Sequence, residues 1–201
     1  MKRMLLVVLS SAWLLPAASF AAADAKLVDS CNDCHGDKGI STAQDVPTIA
    51  SLSASVHSDS LKAFKAKSRP CNKVNYKRDD TKRQGDMCAV AGKLSDAEMT
   101  ALADHYSKLP YASLKQPTDA AKAAAGKAIH DRDCKSCHSN GGRDPADDAG
   151  ILGGQPVGWL KGALADFKAD KAEQPKKMKD KIVKLSDAEL EALAQYYASQ
   201  Q

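Results

Sequence analysis

The feature that most restricts how this chain can fold is a five-residue motif written twice. It reads Cys31-Asn32-Asp33-Cys34-His35 and Cys134-Lys135-Ser136-Cys137-His138, 103 positions apart. C-x-x-C followed at once by His is the attachment signature of c-type haem. The two thiols add to the vinyl groups of the macrocycle, and the histidine becomes an axial ligand of the iron. A lone C-x-x-C is a weak signal, because zinc and redox sites share it, and a zinc or disulfide pair at each motif is the competing reading. Two copies, each with its adjacent His, favour haem. Such a chain has to build each half around its own large apolar plate.

The start of the chain says where this happens. Lys2 and Arg3 precede an apolar run from Met4 to Leu15, Pro16 breaks the run, and Ala21-Ala22-Ala23 offers a cleavage site. Residues 1–23 therefore read as a secretory signal peptide. The run is shorter than the roughly 20 residues a bilayer span needs, and no other segment is apolar enough, so no transmembrane segment is expected. The mature protein is expected in the periplasm. Without Lys2 and Arg3 it carries 27 basic against 25 acidic side chains, and the formal charge falls from +4 to +2. A balance so close to zero argues against a nucleic-acid partner. An oxidising compartment also permits disulfides. Cys71 and Cys88, left over from the haem motifs, are expected to pair, at a loop-closure gain of about 3 kcal/mol. Soft-ligand binding of a metal such as copper by the two free thiols is the alternative.

Internal repetition sets the domain count at two. Shifted by 103, the halves align from the haem motif to Phe64-Lys65-Ala66-Lys67 and Phe167-Lys168-Ala169-Asp170; shifted by 91, Lys93-Leu94-Ser95-Asp96-Ala97-Glu98 repeats as Lys184-Leu185-Ser186-Asp187-Ala188-Glu189. The difference is a 12-residue insertion in the first half, between Lys67 and Met87, with Cys71 in that stretch and Cys88 just after it. The expected division is a signal peptide 1–23, an N-terminal domain 24–110, a linker 111–119 and a C-terminal domain 120–201. The fold class is all-α. Ser95-x-x-Glu98 and Ser186-x-x-Glu189 are capping boxes. They open helices with apolar stripes at Met99, Leu102, Tyr106 and Leu109, and at Leu190, Leu193 and Tyr197. A further helix is expected from Pro156, burying Trp159, Leu160, Leu164 and Phe167, and another over Ala120–Arg132 leading into the second motif. Each half is too small for a strong core of its own, which makes the haem structural as well as functional.

An iron held by His and Met is closed and suited to electron transfer, so each half should offer a methionine. The second half has Met178 after its motif. In the first, Met87 and Met99 compete. The 91-residue shift lays Met87 on Met178 and Met99 on Leu190, so Met87 is the expected ligand and Met99 a core residue. The candidate cofactor-binding residues are thus Cys31, Cys34, His35 and Met87, with Cys134, Cys137, His138 and Met178; the metal ligands among them are His35, Met87, His138 and Met178. Of the other histidines, His57 sits in a polar stretch and is expected solvated. His105 and His130 are expected at the surface or edge, His130 within reach of a haem propionate. A bis-histidine iron would recruit one of the three. Lys168, Lys171, Lys176, Lys177, Lys179, Lys181 and Lys184 surround Met178. They form either a solvated face or a positive rim that steers an acidic partner. Asp144, Asp147 and Asp148 give a contrasting acidic loop.

Each half resembles a small class I cytochrome c. The tandem is similar to the diheme cytochrome subunit of flavocytochrome c sulfide dehydrogenase and to the c-four type of periplasmic carrier. The runs Cys137-His138-Ser139-Asn140-Gly141-Gly142, Ile151-Leu152-Gly153-Gly154-Gln155, Asp166-Phe167, Lys176-Lys177-Met178 and Tyr197-Ala198-Ser199-Gln200-Gln201 carry the likeness to the flavocytochrome subunit. The Cys71–Cys88 insertion departs from it. The resemblance implies two covalent haems c, an FAD-containing catalytic subunit as donor and a downstream acceptor such as a small cytochrome. No substrate chemistry is then expected on this chain. A free c-four carrier, and a diheme enzyme with one open or Cys-ligated iron, are the alternatives.

Overall fold

A computed structural model describes residues 22–78 and 82–201. The signal-peptide reading falls almost wholly outside the described residues. The chain forms two tandem all-α domains. The first contains α1 (Ala25–His35), α2 (Ala54–Lys65), a two-stranded antiparallel pair β1 (Val74–Asn75) and β2 (Gln84–Gly85), α3 (Met87–Ala91) and α4 (Asp96–Ser107). The second contains α5 (Ala120–Ile129), a π-helical turn at His130–Cys134, α6 (Ser139–Gly142), α7 (Val157–Lys168), α8 (Lys176–Ile182) and α9 (Asp187–Ala198).

The repeat read in the sequence is present in the backbone. Helix α7 is α2 moved by 103 positions at both ends, and α9 is α4 moved by 91. The hydrogen bonds follow the same offsets. Ile49 and Ala50 donate from their backbone N–H to the Gly39 carbonyl, as Leu152 and Gly153 donate to Gly142. Both glycines sit at positive φ, 72° and 73°, which favours a residue without Cβ. One bond carries both offsets at once: Ser51 N donates to Tyr106 O, and Gly154 N donates to Tyr197 O.

The helices start where their caps dictate. Asp24 accepts from the N–H groups of Lys26 and Leu27, and Asp119 from that of Lys122. Both capping boxes form: Glu98 and Glu189 each accept from the N–H of their cap serine at 2.8 Å, and each serine Oγ accepts in return at 3.3 Å. The stripes of α4 and α9 point into two cores. Leu94, Met99, Leu102 and Tyr106 make the first, while Leu160, Leu164, Leu190, Leu193 and Tyr197 lie in the larger second. Pro156 is the residue before α7 rather than its first, one position from the expected start. The helix leading to the second motif leaves α geometry at His130, where the i→i+5 bond from Lys135 N to His130 O marks the π turn. Such turns occur often at functional sites.

The domains are joined by more than the chain. Residues 110–119 carry no helix or strand and run along the second domain. Leu114 N donates to Gly154 O, Tyr111 Oη to Gly153 O, and Gln116 Nε2 to Gln155 O. Across the junction the Gln155 amide makes a closed pair with Thr48: Thr48 N donates to Gln155 Oε1, and Gln155 Nε2 donates to Thr48 O, both at 2.9 Å. Both residues are fully buried.

Helices α5 and α9 pack most closely in the second domain. Gly126 allows it, since a Cβ there would meet the Ala192 carbonyl oxygen at 2.1 Å. Gly126→Ala should therefore force the helices apart. A loss of about 1–3 kcal/mol, read as a lower thermal midpoint of the second domain, is expected. An unchanged midpoint would show that the crossing is looser than this.

Candidate functional site

Each motif presents its three side chains from one turn. On α1, Cys31, Cys34 and His35 stand at i, i+3 and i+4 and so share a face. His35 is buried, and its Nδ1 lies 2.8 Å from the Pro47 carbonyl oxygen. That bond places the proton on Nδ1 and leaves the Nε2 lone pair as the ligand atom, with its basicity raised. Cys134, Cys137 and His138 are arranged by the π turn and by bonds from the N–H groups of Cys137 and His138 to Cys134 O. The His138 Nδ1 is buried and has no protein partner, which distinguishes the two proximal histidines. Asp147 holds the backbone next door, accepting from Ser139 N at 2.6 Å and Ser139 Oγ at 2.9 Å.

None of the four motif cysteines is joined in a disulfide. Burial pushes the thiols of Cys31, Cys34 and Cys134 up, so none is the low-pKa thiolate that a redox C-x-x-C needs. Among the described residues, the one group of three metal-type ligands lying within 4.8 Å of each other is Cys71, Asp86 and Cys88, away from both motifs. Neither motif is thus folded as a zinc site. Cys71 and Cys88 are bonded to each other, which leaves no thiolate for copper and removes the metal alternative.

The space beside the second motif fits a flat apolar group. A cavity with an apolar lining lies between Leu152, Trp159, Leu160, Leu164, Tyr197 and the candidate ligand Met178. Met178 is the third residue of α8. Met87 opens α3, whose first turn is held by the Asp86 carboxylate accepting from Ala89 N. The disulfide to Cys71 tethers the very next residue. Met99 is 1 % exposed among Leu94, Leu102 and Tyr106, a core position. The donor sets therefore fit two haems, which supply one-electron chemistry at iron when bound.

The histidines depart from expectation. His57 is buried rather than solvated, because it falls on the inward face of α2. Its pKa is lowered to about 4 by burial. His130 is buried rather than at the edge, its Nδ1 3.1 Å from the Tyr197 hydroxyl. His105 packs edge-on to Tyr106 and is partly exposed, as expected. The positional offset was the signal that could have found both buried rings: it lays His57 on Leu160 and His130 on Leu27, two apolar positions.

The charged segments are more structural than expected. Four of the seven lysines around Met178 are engaged: Lys168 with Asp187, Lys176 with Asp180, Lys179 with Asp170 and Lys181 with Asp133, at 2.6–3.0 Å. Lys171, Lys177 and Lys184 have no ion pair among the described residues and are what is left of a positive rim. In the acidic loop, Asp144 caps a turn and Asp148 accepts from Ser55 Oγ across the junction. The insertion supplies cations to the first motif. Arg78 bridges Asp29 on α1 and Asp37 in the turn after it, Lys77 N donates to Asp33 O, and Arg83 stands 3.6 Å from the Asp33 carboxylate.

Comparison with known proteins agrees with this geometry. Residues 21–109 match the family model described as cytochrome c, and residues 121–196 match that described as cytochrome c oxidase, cbb3-type, subunit III. The thiosulfate dehydrogenase electron acceptor of Thiomonas intermedia (strain K12) is 28% identical over 214 residues, covering 100% of this chain and 92% of that protein. The cytochrome c4 structure of Acidithiobacillus ferrooxidans aligns at 26% identity with a TM-score of 0.67, over 85% of this chain and 99% of that one. That of Pseudomonas stutzeri aligns at 25% and 0.68, over 88% and 98%. Thiosulfate dehydrogenase (TsdBA) of Marichromatium purpuratum shares the fold at 24% and 0.68, over 84% of this chain and 36% of that one. The chain is an electron-transfer protein built from two cytochrome c domains. It is a diheme cytochrome c, with two covalently bound haems c, and is similar to the c4 type and to a thiosulfate dehydrogenase electron acceptor.

Burial holds His130 below its ordinary value of 6.5. A histidine kept neutral in the fold takes up its proton first in the unfolded chain. Its contribution to stability is full above about pH 6.5 and is lost as the pH falls. Unfolding of the second domain followed against pH should show this loss. It should be weaker in His130→Leu, which installs the residue of the first domain.

Proposed function

We propose that this chain is a periplasmic, exported electron-transfer subunit. It takes electrons from a sulfur-oxidising catalytic partner and passes them to a downstream carrier such as a small cytochrome. What supports the reading is that each domain has a motif histidine and, at matching positions of the repeat, a methionine that could ligate its haem. On that assignment two six-coordinate irons leave no position for a substrate, which favours an electron carrier over a diheme enzyme with an open or Cys-ligated iron. Cys31, Cys34, His35 and Met87 hold the first haem, and Cys134, Cys137, His138 and Met178 the second. The division into domains at 24–110 and 120–201, with a linker at 111–119 and a signal peptide at 1–23, belongs to the same reading.

Two donors compete. A thiosulfate dehydrogenase is supported by the relative of that name, whose alignment covers this whole chain. An FAD-containing sulfide dehydrogenase is supported by the local likeness at residues 151–155, 176–178 and 197–201, which are short runs. The thiosulfate donor is therefore the better supported. Holoprotein mixed with each candidate enzyme of its own host, plus thiosulfate or sulfide, should be reduced fastest through the thiosulfate enzyme. Reduction by the flavin subunit with sulfide alone would overturn that choice. Reduction by neither would favour a free carrier.

The ligand assignment has its own test. Met87→Ala should open the first haem to added CO or cyanide, and Met178→Ala the second, while Met99→Ala should bind neither ligand. Opening by Met99→Ala instead of Met87→Ala would reverse the assignment.

A further inference from the structure

Helices α2 and α7 occupy the same place in the two domains. Leu160, the fourth residue of α7, lines the apolar cavity of the second domain together with Leu152, Met178 and Tyr197. The fourth residue of α2 is His57. Its surroundings repeat those of Leu160. Its ring centroid is 5.9 Å from that of Tyr106, the counterpart of Tyr197. His57 is 7 % exposed, and its Nε2 is buried with no hydrogen-bond partner. A buried nitrogen left bare costs about 1–3 kcal/mol. The second domain avoids that cost with leucine, and the first does not.

The partner of this nitrogen follows by elimination. On the proposed function, the first haem lies at the equivalent place in the first domain. The haem's vinyl groups are consumed by Cys31 and Cys34. Its axial positions are taken by His35 and, on the assignment above, by Met87. Among the hydrogen-bonding groups of the macrocycle, the propionate carboxylates are what remain. Carboxylates bonded to an imidazole make the stronger, charge-assisted kind of hydrogen bond.

We propose that His57 is a positioning residue of the first domain, bonding through Nε2 to a propionate of the first haem and setting that haem's potential apart from the second. A proton held between imidazole and carboxylate cancels a negative charge close to the iron. Without it, the bare carboxylate favours the ferric state, and the potential drops. Leu160 gives the second haem no such bond.

The test is potentiometry of the diheme holoprotein at one fixed pH, with the potentials assigned through the haem-methyl resonances. In His57→Leu the potential of the first haem should fall and that of the second should stay. The Met–iron charge-transfer band of the oxidised protein should persist. His57→Gln keeps a donor and should fall less. If His57→Leu does not load its first haem, His57→Met makes the same comparison with a more adaptable side chain. An unchanged first potential overturns the proposal. So does a rise, which with an altered oxidised spectrum would mean that His57 ligates the iron. Failure of the Met87 assignment alone is read separately, from Met87→Ala.

Discussion

One tyrosine in each domain ties together the pieces that must surround a haem. Tyr106 and Tyr197 are each 2 % exposed on the last helix of their domain. Through the backbone carbonyl each accepts from the loop that follows the haem motif, at Ser51 N and Gly154 N. Through the hydroxyl each reaches the helix that carries the motif: Tyr106 Oη meets Val28 O and Asn32 Oδ1, and Tyr197 Oη meets His130 Nδ1. The motif helix, the post-motif loop and the closing helix are thereby fixed to one rigid ring. Domains of this size have little core to spare, so a clamp that uses both ends of one side chain does much to hold the walls in place around the haem.

That frame could be read from the sequence because its parts obey local rules. The C-x-x-C-H motifs, the two capping boxes and the stripes at Met99, Leu102, Tyr106 and Leu190, Leu193, Tyr197 are all periodic or contiguous. The offset between the halves placed Met99 in the core on the same logic. The junction was not legible. Gln155 pairs with Thr48 over a sequence distance that no periodicity marks, and a buried amide looks like any exposed glutamine until its partner is known. His57 misled for a related reason. Its neighbours Ser53, Ser55 and Ser60 are polar, yet α2 turns position 57 inward, and helical phase outweighs local composition.

The insertion shows how a domain can be altered without disturbing the clamp. Its hairpin hangs outside α1: Arg78 reaches Asp29 and Asp33 on that helix and Asp37 in the turn after it, Arg83 reaches Asp33, and Lys77 pairs with Asp45. The second domain has Arg132, Ser136 and Asn140 at the positions of Asp29, Asp33 and Asp37, and it lacks the hairpin. These three acids and the cationic hairpin therefore belong together, as an addition built onto the first domain. Surface pairs of this kind contribute little to stability. The covalent tie at Cys71–Cys88 is what keeps the hairpin's base in place beside Met87.

The two domains differ most where histidine and leucine trade places. His130 stands where the first domain has Leu27, and His57 where the second has Leu160. The exchanges have opposite consequences for the clamp. In the second domain the buried ring bonds the tyrosine hydroxyl and is satisfied by protein alone. In the first, that hydroxyl is already bonded to the motif helix, and the buried ring is left with a free nitrogen. A polar group satisfied within the protein mainly affects folding. One completed only by the cofactor acts on the cofactor. A duplicated fold can in this way hold two chemically identical haems at unequal potentials, by moving one ring from the wall of one cavity to the scaffold of the other.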